Sequence, residues 1–173
     1  MTQSHILKGK KILIVDDEVD ILDTITDLLD MCTSVTAKDF LTASDALENN
    51  TYDIAILDIM GVDGYQLLDI ANKNNIPALM LTAHALSADN LVASVKGGAY
   101  AYIPKDKLFE IEEYLIDLFK SREKNIKPRS WYKKLLPFFN KSFGENWKEK
   151  DPDFWSDFDR TLEHSKEELE KIL

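Results

Sequence analysis

Between residues 11 and 103 the chain alternates two kinds of apolar pattern. Short runs, KILIVD (11–16), SVTAK (34–38), DIAILD (53–58), PALMLT (77–82) and AYAYI (99–103), are separated by longer segments with helical spacing. Several of the runs are apolar at consecutive positions, as strands covered on both faces should be. In the first spacer Val19, Leu22, Ile25, Leu28 and Leu29 share one helical side and Asp20, Asp23, Asp27 and Asp30 the other. Further helices fit residues 42–49, 64–73, 87–96 and 106–120. Strand and helix alternating five times predicts an α/β fold: a doubly wound, five-stranded parallel sheet with right-handed crossovers and helices on both faces.

Beyond residue 120 the pattern changes. KSREKNIKPRS (120–130) is polar and interrupted by Pro128, which reads as a linker or a helix end. Ser130 is placed to cap a short helix, WYKKLL, that breaks near Pro137, and Gly144 to stop the next turns. A last helix starts at Asp151 and Pro152 and carries Phe154, Phe158, Leu162, Leu169 and Ile172 on one face. The chain thus divides into residues 8–122 and a helical extension, 123–173. That extension holds nine of the 17 aromatic residues, including all three tryptophans. Either it forms a small helical unit packed on itself and on the first domain, or it offers a docking surface to a partner or a second copy.

Composition narrows the function classes. Of 173 residues, 45% are hydrophobic and 30% charged, the balance of a globular protein. No stretch of 18 apolar residues exists and the N-terminus lacks a signal-peptide run, so a cytoplasmic protein without membrane contact is expected. Cys32 is the single cysteine, which excludes an intrachain disulfide and a thiolate metal cluster and suggests a thiol buried in the core. The net charge of −10 is unevenly placed: residues 1–120 carry 9 basic against 20 acidic side chains, the rest 12 against 11. With no basic stripe in either part, nucleic acid is an unlikely partner.

In an open parallel sheet, ligands bind outside the carboxyl ends of the strands. Asp16 and Asp17 end the first run, Asp58 the third and Thr82 the fourth, and Lys105 follows the fifth. Three carboxylates so close repel one another, and a hard divalent cation with oxygen ligands relieves that repulsion. An ammonium and a hydroxyl beside them suit an anion such as a phosphoryl group.

This constellation, with Ala83 after Thr82 and Tyr102 before Lys105, resembles the receiver domain of two-component response regulators over about residues 8–120. The resemblance implies a flavodoxin-like fold with strand order 2-1-3-4-5. It implies that Asp58 accepts a phosphoryl group from a sensor histidine kinase or phosphotransfer protein, with Mg²⁺ bound by Asp17, Asp58 and the backbone carbonyl of Met60, and by Asp16 through water. Thr82 and Lys105 would bind the phosphoryl oxygens, Thr82 and Tyr102 would switch conformation, and Met60 and His84 would tune phosphoryl lifetime. His84 also reads as an ordinary exposed loop residue. Self-catalysed transfer and aspartyl-phosphate hydrolysis, rather than conventional enzyme turnover, would then drive signalling to a downstream protein partner or a homodimer. The alternatives are a DNA-binding transcriptional regulator with a reduced effector, and a receiver-like scaffold that is not phosphorylated. Two departures from the family pattern stand out: DIMGVDG reaches Asp63 and Gly64 two residues early without a proline, and Pro104 precedes Lys105 instead of following it.

Overall fold

The computed structural model describes residues 3–84, 86–126 and 129–160. Five strands, β1 (Lys11–Val15), β2 (Thr33–Ala37), β3 (Ile54–Asp58), β4 (Ala78–Thr82) and β5 (Ala101–Pro104), form one parallel sheet in the order β2-β1-β3-β4-β5. The expected runs and the observed strands agree to within a residue or two. Every residue of β3 and β4 is buried, which explains why these runs lack alternation. The helices are α1 (Val19–Leu28), α2 (Phe40–Asn49), α3 (Gly64–Lys73), α4 (Ala88–Lys96) and α5 (Ile111–Glu123). The pair α1 and α5 pack together on one face, and α2 packs with α3 on the other. Tyr65 of α3 donates to the Asn90 side chain of α4 at 2.6 Å, which joins α4 to that second layer. Asp39 caps α2 by accepting from the Thr42 amide, and Ser87 caps α4 by accepting from Asn90.

Five local expectations need correcting. Val19, the first residue of α1, is 49% exposed and does not join Leu22 and Ile25 in the core, because no preceding helical turn covers it. The helix expected from residue 106 begins as a 3-10 segment, Lys105–Glu110, and turns regular only at Ile111, because Lys107 leaves helical geometry (φ −106°, ψ 18°). Cys32 is only partly buried; its thiol donates to the Leu7 carbonyl at 3.4 Å, and burial followed by Glu112 pushes its pKa up to about 11. Leu7 itself, just outside the expected domain start, is fully buried.

The fifth correction concerns Pro137. The helix α6 (Ser130–Phe143) does not break there but runs on to Gly144, whose positive φ of 90° ends it. Pro137 lies on the exposed side, so the Lys133 carbonyl that loses its amide partner is on the solvated face, while Trp131, Tyr132, Leu135 and Phe139 anchor the opposite stripe. Ser130 is the first helical residue and not the cap; its hydroxyl donates to Asp117 of α5 at 3.1 Å. A 3-10 turn, Trp147–Lys150, follows, and residues 152–160 are helical (α7). Leu162, Leu169 and Ile172 lie outside the described residues. The extension packs both on itself and on the sheet domain. Tyr132, Trp147, Trp155 and Phe158 form a chain of ring contacts of 4.8–5.6 Å, and the Lys148 ammonium sits 5.2–5.6 Å from the rings of Tyr132, Trp147 and Trp155. No described helix is long and apolar enough to cross a membrane.

Pro137→Ala restores an amide donor to Lys133 on a helix whose buried stripe is untouched. We expect it to stabilise the chain by about 1–2 kcal/mol after the unfolded-state entropy of proline is subtracted. A lower urea midpoint for this variant would contradict the geometry described for α6.

Candidate functional site

The sheet's buried interior sets the site. Because β1, β3, β4 and β5 are parallel, their carboxyl ends open onto one edge, where Asp16, Asp58, Thr82 and Lys105 come together. The ladder pairs Asp58 with Leu81 and Thr82 with Pro104, so Asp58 and Thr82 stand at adjacent strand ends. Asp16 extends β1 by donating its amide to Ala37, and its Oδ1 accepts from the Glu18 amide at 2.9 Å, which fixes the turn into α1.

Lys105 is the hub. Its Nζ lies 2.8 Å from Asp16 Oδ2, 3.4 Å from Asp58 Oδ1 and 3.5 Å from Glu18 Oε1. The Asp16 contact is the shortest of the three ion pairs. Asp16, Asp58 and the Lys105 side chain are all buried. Burial, then the neighbouring Asp16, pushes the Asp58 carboxyl up to about 6 despite Lys105. Asp16 is raised too, again by burial first. For Lys105 burial acts downward, but Asp16, Asp58 and Glu18 outweigh it and hold the ammonium charged. One buried cation therefore serves more negative charge than it balances.

Asp17 is exposed, and Glu18 joins it and Asp16 in a group whose carboxylate oxygens lie within 4.8 Å of one another. Glu18 is the residue that sequence reading missed. Its signal is its place directly after the acidic pair: it is the N-cap of α1 but makes no side-chain cap bond, which leaves it to turn toward Lys105.

The shortened loop after Asp58 closes by two glycines. Gly61 has φ 86°, and a Cβ there would sit 2.5 Å from Asp17 Oδ2, so the Met60–Gly61 peptide runs beside Asp17. At Gly64 a Cβ would overlap the Asp58 carbonyl oxygen, so α3 begins directly against the strand end. Asp63 between them adopts the left-handed region, φ 55°. The Met60 side chain is 55% exposed and His84 is exposed. Thr82 and Tyr102 are buried; the Tyr102 hydroxyl accepts from the Ser87 amide at 3.2 Å and donates to its carbonyl at 3.4 Å.

A family model described as the response regulator receiver domain matches residues 12–115. Among curated proteins, the regulatory protein VanRc of Enterococcus gallinarum is 34% identical over 103 residues, 56% of this chain and 44% of that protein. The heme response regulator HssR of Staphylococcus epidermidis is 36% identical over 109 residues, 60% of this chain and 47% of its own. The chain thus spans less than half the length of these relatives. Among solved structures, a CheY-like response regulator receiver domain from Methanospirillum hungatei JF-1 is 31% identical, with a TM-score of 0.57 over 68% of this chain and 99% of that one.

Since the folded Asp58 keeps its proton to about pH 6 and an unfolded one releases it near 3.8, folding takes up a proton between those values. Stability contributed by this group therefore falls as pH rises through that window. With a chelator present, Asp58→Asn is expected to be more stable than the parent by about 1–3 kcal/mol at neutral pH, and not near pH 4. Urea unfolding at both pH values checks this; a loss at neutral pH would contradict it.

Proposed function

Because the chain belongs to the response regulator receiver family, we propose that it accepts a phosphoryl group on Asp58 from a phosphohistidine donor and passes the resulting change to a partner. The observation that supports this best is Lys105 held between Asp16 and Asp58 at 2.8 and 3.4 Å. An Asp58 oxygen attacks phosphorus in line; the new P–O bond forms as the P–N bond to the donor imidazole breaks, and the imidazole nitrogen keeps the electron pair and takes a proton. Lys105 moves its ammonium onto a phosphoryl oxygen, and the Thr82 hydroxyl donates to another. Transfer of this kind depends on position and on compensating charge spread over the equatorial oxygens.

The donor set fits a hard divalent cation. Three carboxylates converge within 4.8 Å, and the ammonium paired with Asp16 and Glu18 among the described residues is that of Lys105, already shared with Asp58. Asp17, Asp58 and the Met60 carbonyl would hold Mg²⁺ directly and Asp16 through water, with Glu18 within reach of the same shell; the ion would supply the charge compensation that one ammonium lacks. Thr82 and Tyr102 serve as the switch pair. Met60 and His84, exposed on the loops that follow β3 and β4, set how readily water reaches the phosphoryl group. Residues 8–122 act as the receiver unit and 123–173 as an appended helical unit, in a cytoplasmic setting. The partner on the donor side is a sensor histidine kinase or a phosphotransfer protein.

Incubation with a small phosphodonor and Mg²⁺, followed by intact mass measurement, is expected to add one phosphoryl group to the parent and none to Asp58→Asn. Lys105→Ala should lower the labelling rate by about 100-fold. Undiminished labelling of Asp58→Asn would overturn the assignment.

A further inference from the structure

The extension is held on the face made by α4, β5 and α5: Ser130 and Lys134 of α6 reach Asp117 and Glu113 of α5 at 3.1 Å, and three further contacts involve β5 and α4. Phe139 of α6 meets the Tyr102 ring of β5 with centroids 6.0 Å apart. Trp147 and Trp155 close over Ala88 and Val92 of α4 around a cavity of about 140 Å³. Asp151 pairs with Lys96 of α4 at 3.3 Å, and the same ammonium lies 5.4 Å from the Phe154 ring.

Tyr102 connects this contact to the site. The register pairs Met80 with Tyr102 and Thr82 with Pro104, so Thr82 and Tyr102 are diagonal neighbours on one face of the sheet, with Tyr102 nearer the interior. The Tyr102 ring is fully buried and its hydroxyl is tied to the Ser87 main chain. Thr82 Oγ1 is buried and interacts with that hydroxyl, but among the described residues it makes no hydrogen bond of good geometry. The register sets Thr82 at the end of β4, beside the end of β3 where Asp58 stands. A phosphoryl oxygen there would give Thr82 the acceptor it lacks.

We propose that the C-terminal extension is an intramolecular clamp: Phe139 holds Tyr102 inside, which turns Thr82 to the site and favours phosphorylated over unphosphorylated Asp58. This rests on Asp58 being the phosphoacceptor. A contact made in only one state of Tyr102 shifts the equilibrium toward that state, and by linkage phosphorylation tightens the extension by the same factor.

The test uses the full chain with Phe139→Ala and, since that change opens a cavity, a second variant outside the core, Lys96→Glu, with its restoring partner Asp151→Lys. Two quantities are read: hydrogen exchange of the Ser87 amide, which donates to Tyr102, and the ratio of phosphorylated to free protein at a fixed level of acetyl phosphate and Mg²⁺. The clamp requires Ser87 to exchange faster in Phe139→Ala and the phosphorylation ratio to fall about fivefold. Lys96→Glu should move both in the same direction, and adding Asp151→Lys should reverse it. Parent-like exchange and ratio in the variants, with normal labelling of the parent, overturns the clamp alone. A parent that takes no phosphoryl group overturns the Asp58 reading, and the clamp with it.

Discussion

One ammonium shared by two buried carboxylates organises the edge of this sheet. Lys105 reaches Asp16 and Asp58 across three strands, and the contact exists only because β1, β3 and β5 end at the same level. The cost of burying Asp16 and Asp58 is not fully offset by one cation, which is why both carboxyls are raised. The exposed Asp17 and Glu18 beside this pair add carboxylate oxygens that lie, with one of Asp16, within 4.8 Å of one another. Stability is thus given up at this edge of the sheet.

The rest of the architecture keeps that edge in place. Fully buried β3 and β4 fix Asp58 and Thr82 as neighbours, and Gly61 and Gly64 let a short loop return under Asp58 without a side chain in the way. On the far side of Thr82 the sheet is closed not by solvent but by the extension, whose aromatic rings continue from Tyr102 through Phe139 to Trp147 and Trp155. The extension is therefore part of the surroundings of Tyr102.

Much of this was legible in the chain. Consecutive apolar positions ending in Asp16, Asp58 and Thr82 marked buried strands with polar ends, and helical spacing gave α1 to α4 within a few residues. What was missed depends on contacts at a distance. Pro137 reads locally as a breaker, but its orientation toward solvent is decided by Trp131 and Phe139 packing on the other side. The contact of Glu18 with Lys105 spans 87 positions, so its place directly after the acidic pair marks it only as one more carboxylate. The irregular start to α5 comes from Lys107, whose identity gives no sign of its backbone geometry.

The burial of Asp58 beside Asp16, with one shared cation to offset it, is measured most directly by following its carboxyl carbon by NMR as pH is varied in the metal-free protein. A midpoint of about 6 that moves down when Mg²⁺ is added is the result this structure predicts. A midpoint at the ordinary carboxylate value near 3.8 without any cation would contradict it, since Lys105 alone would then balance the site.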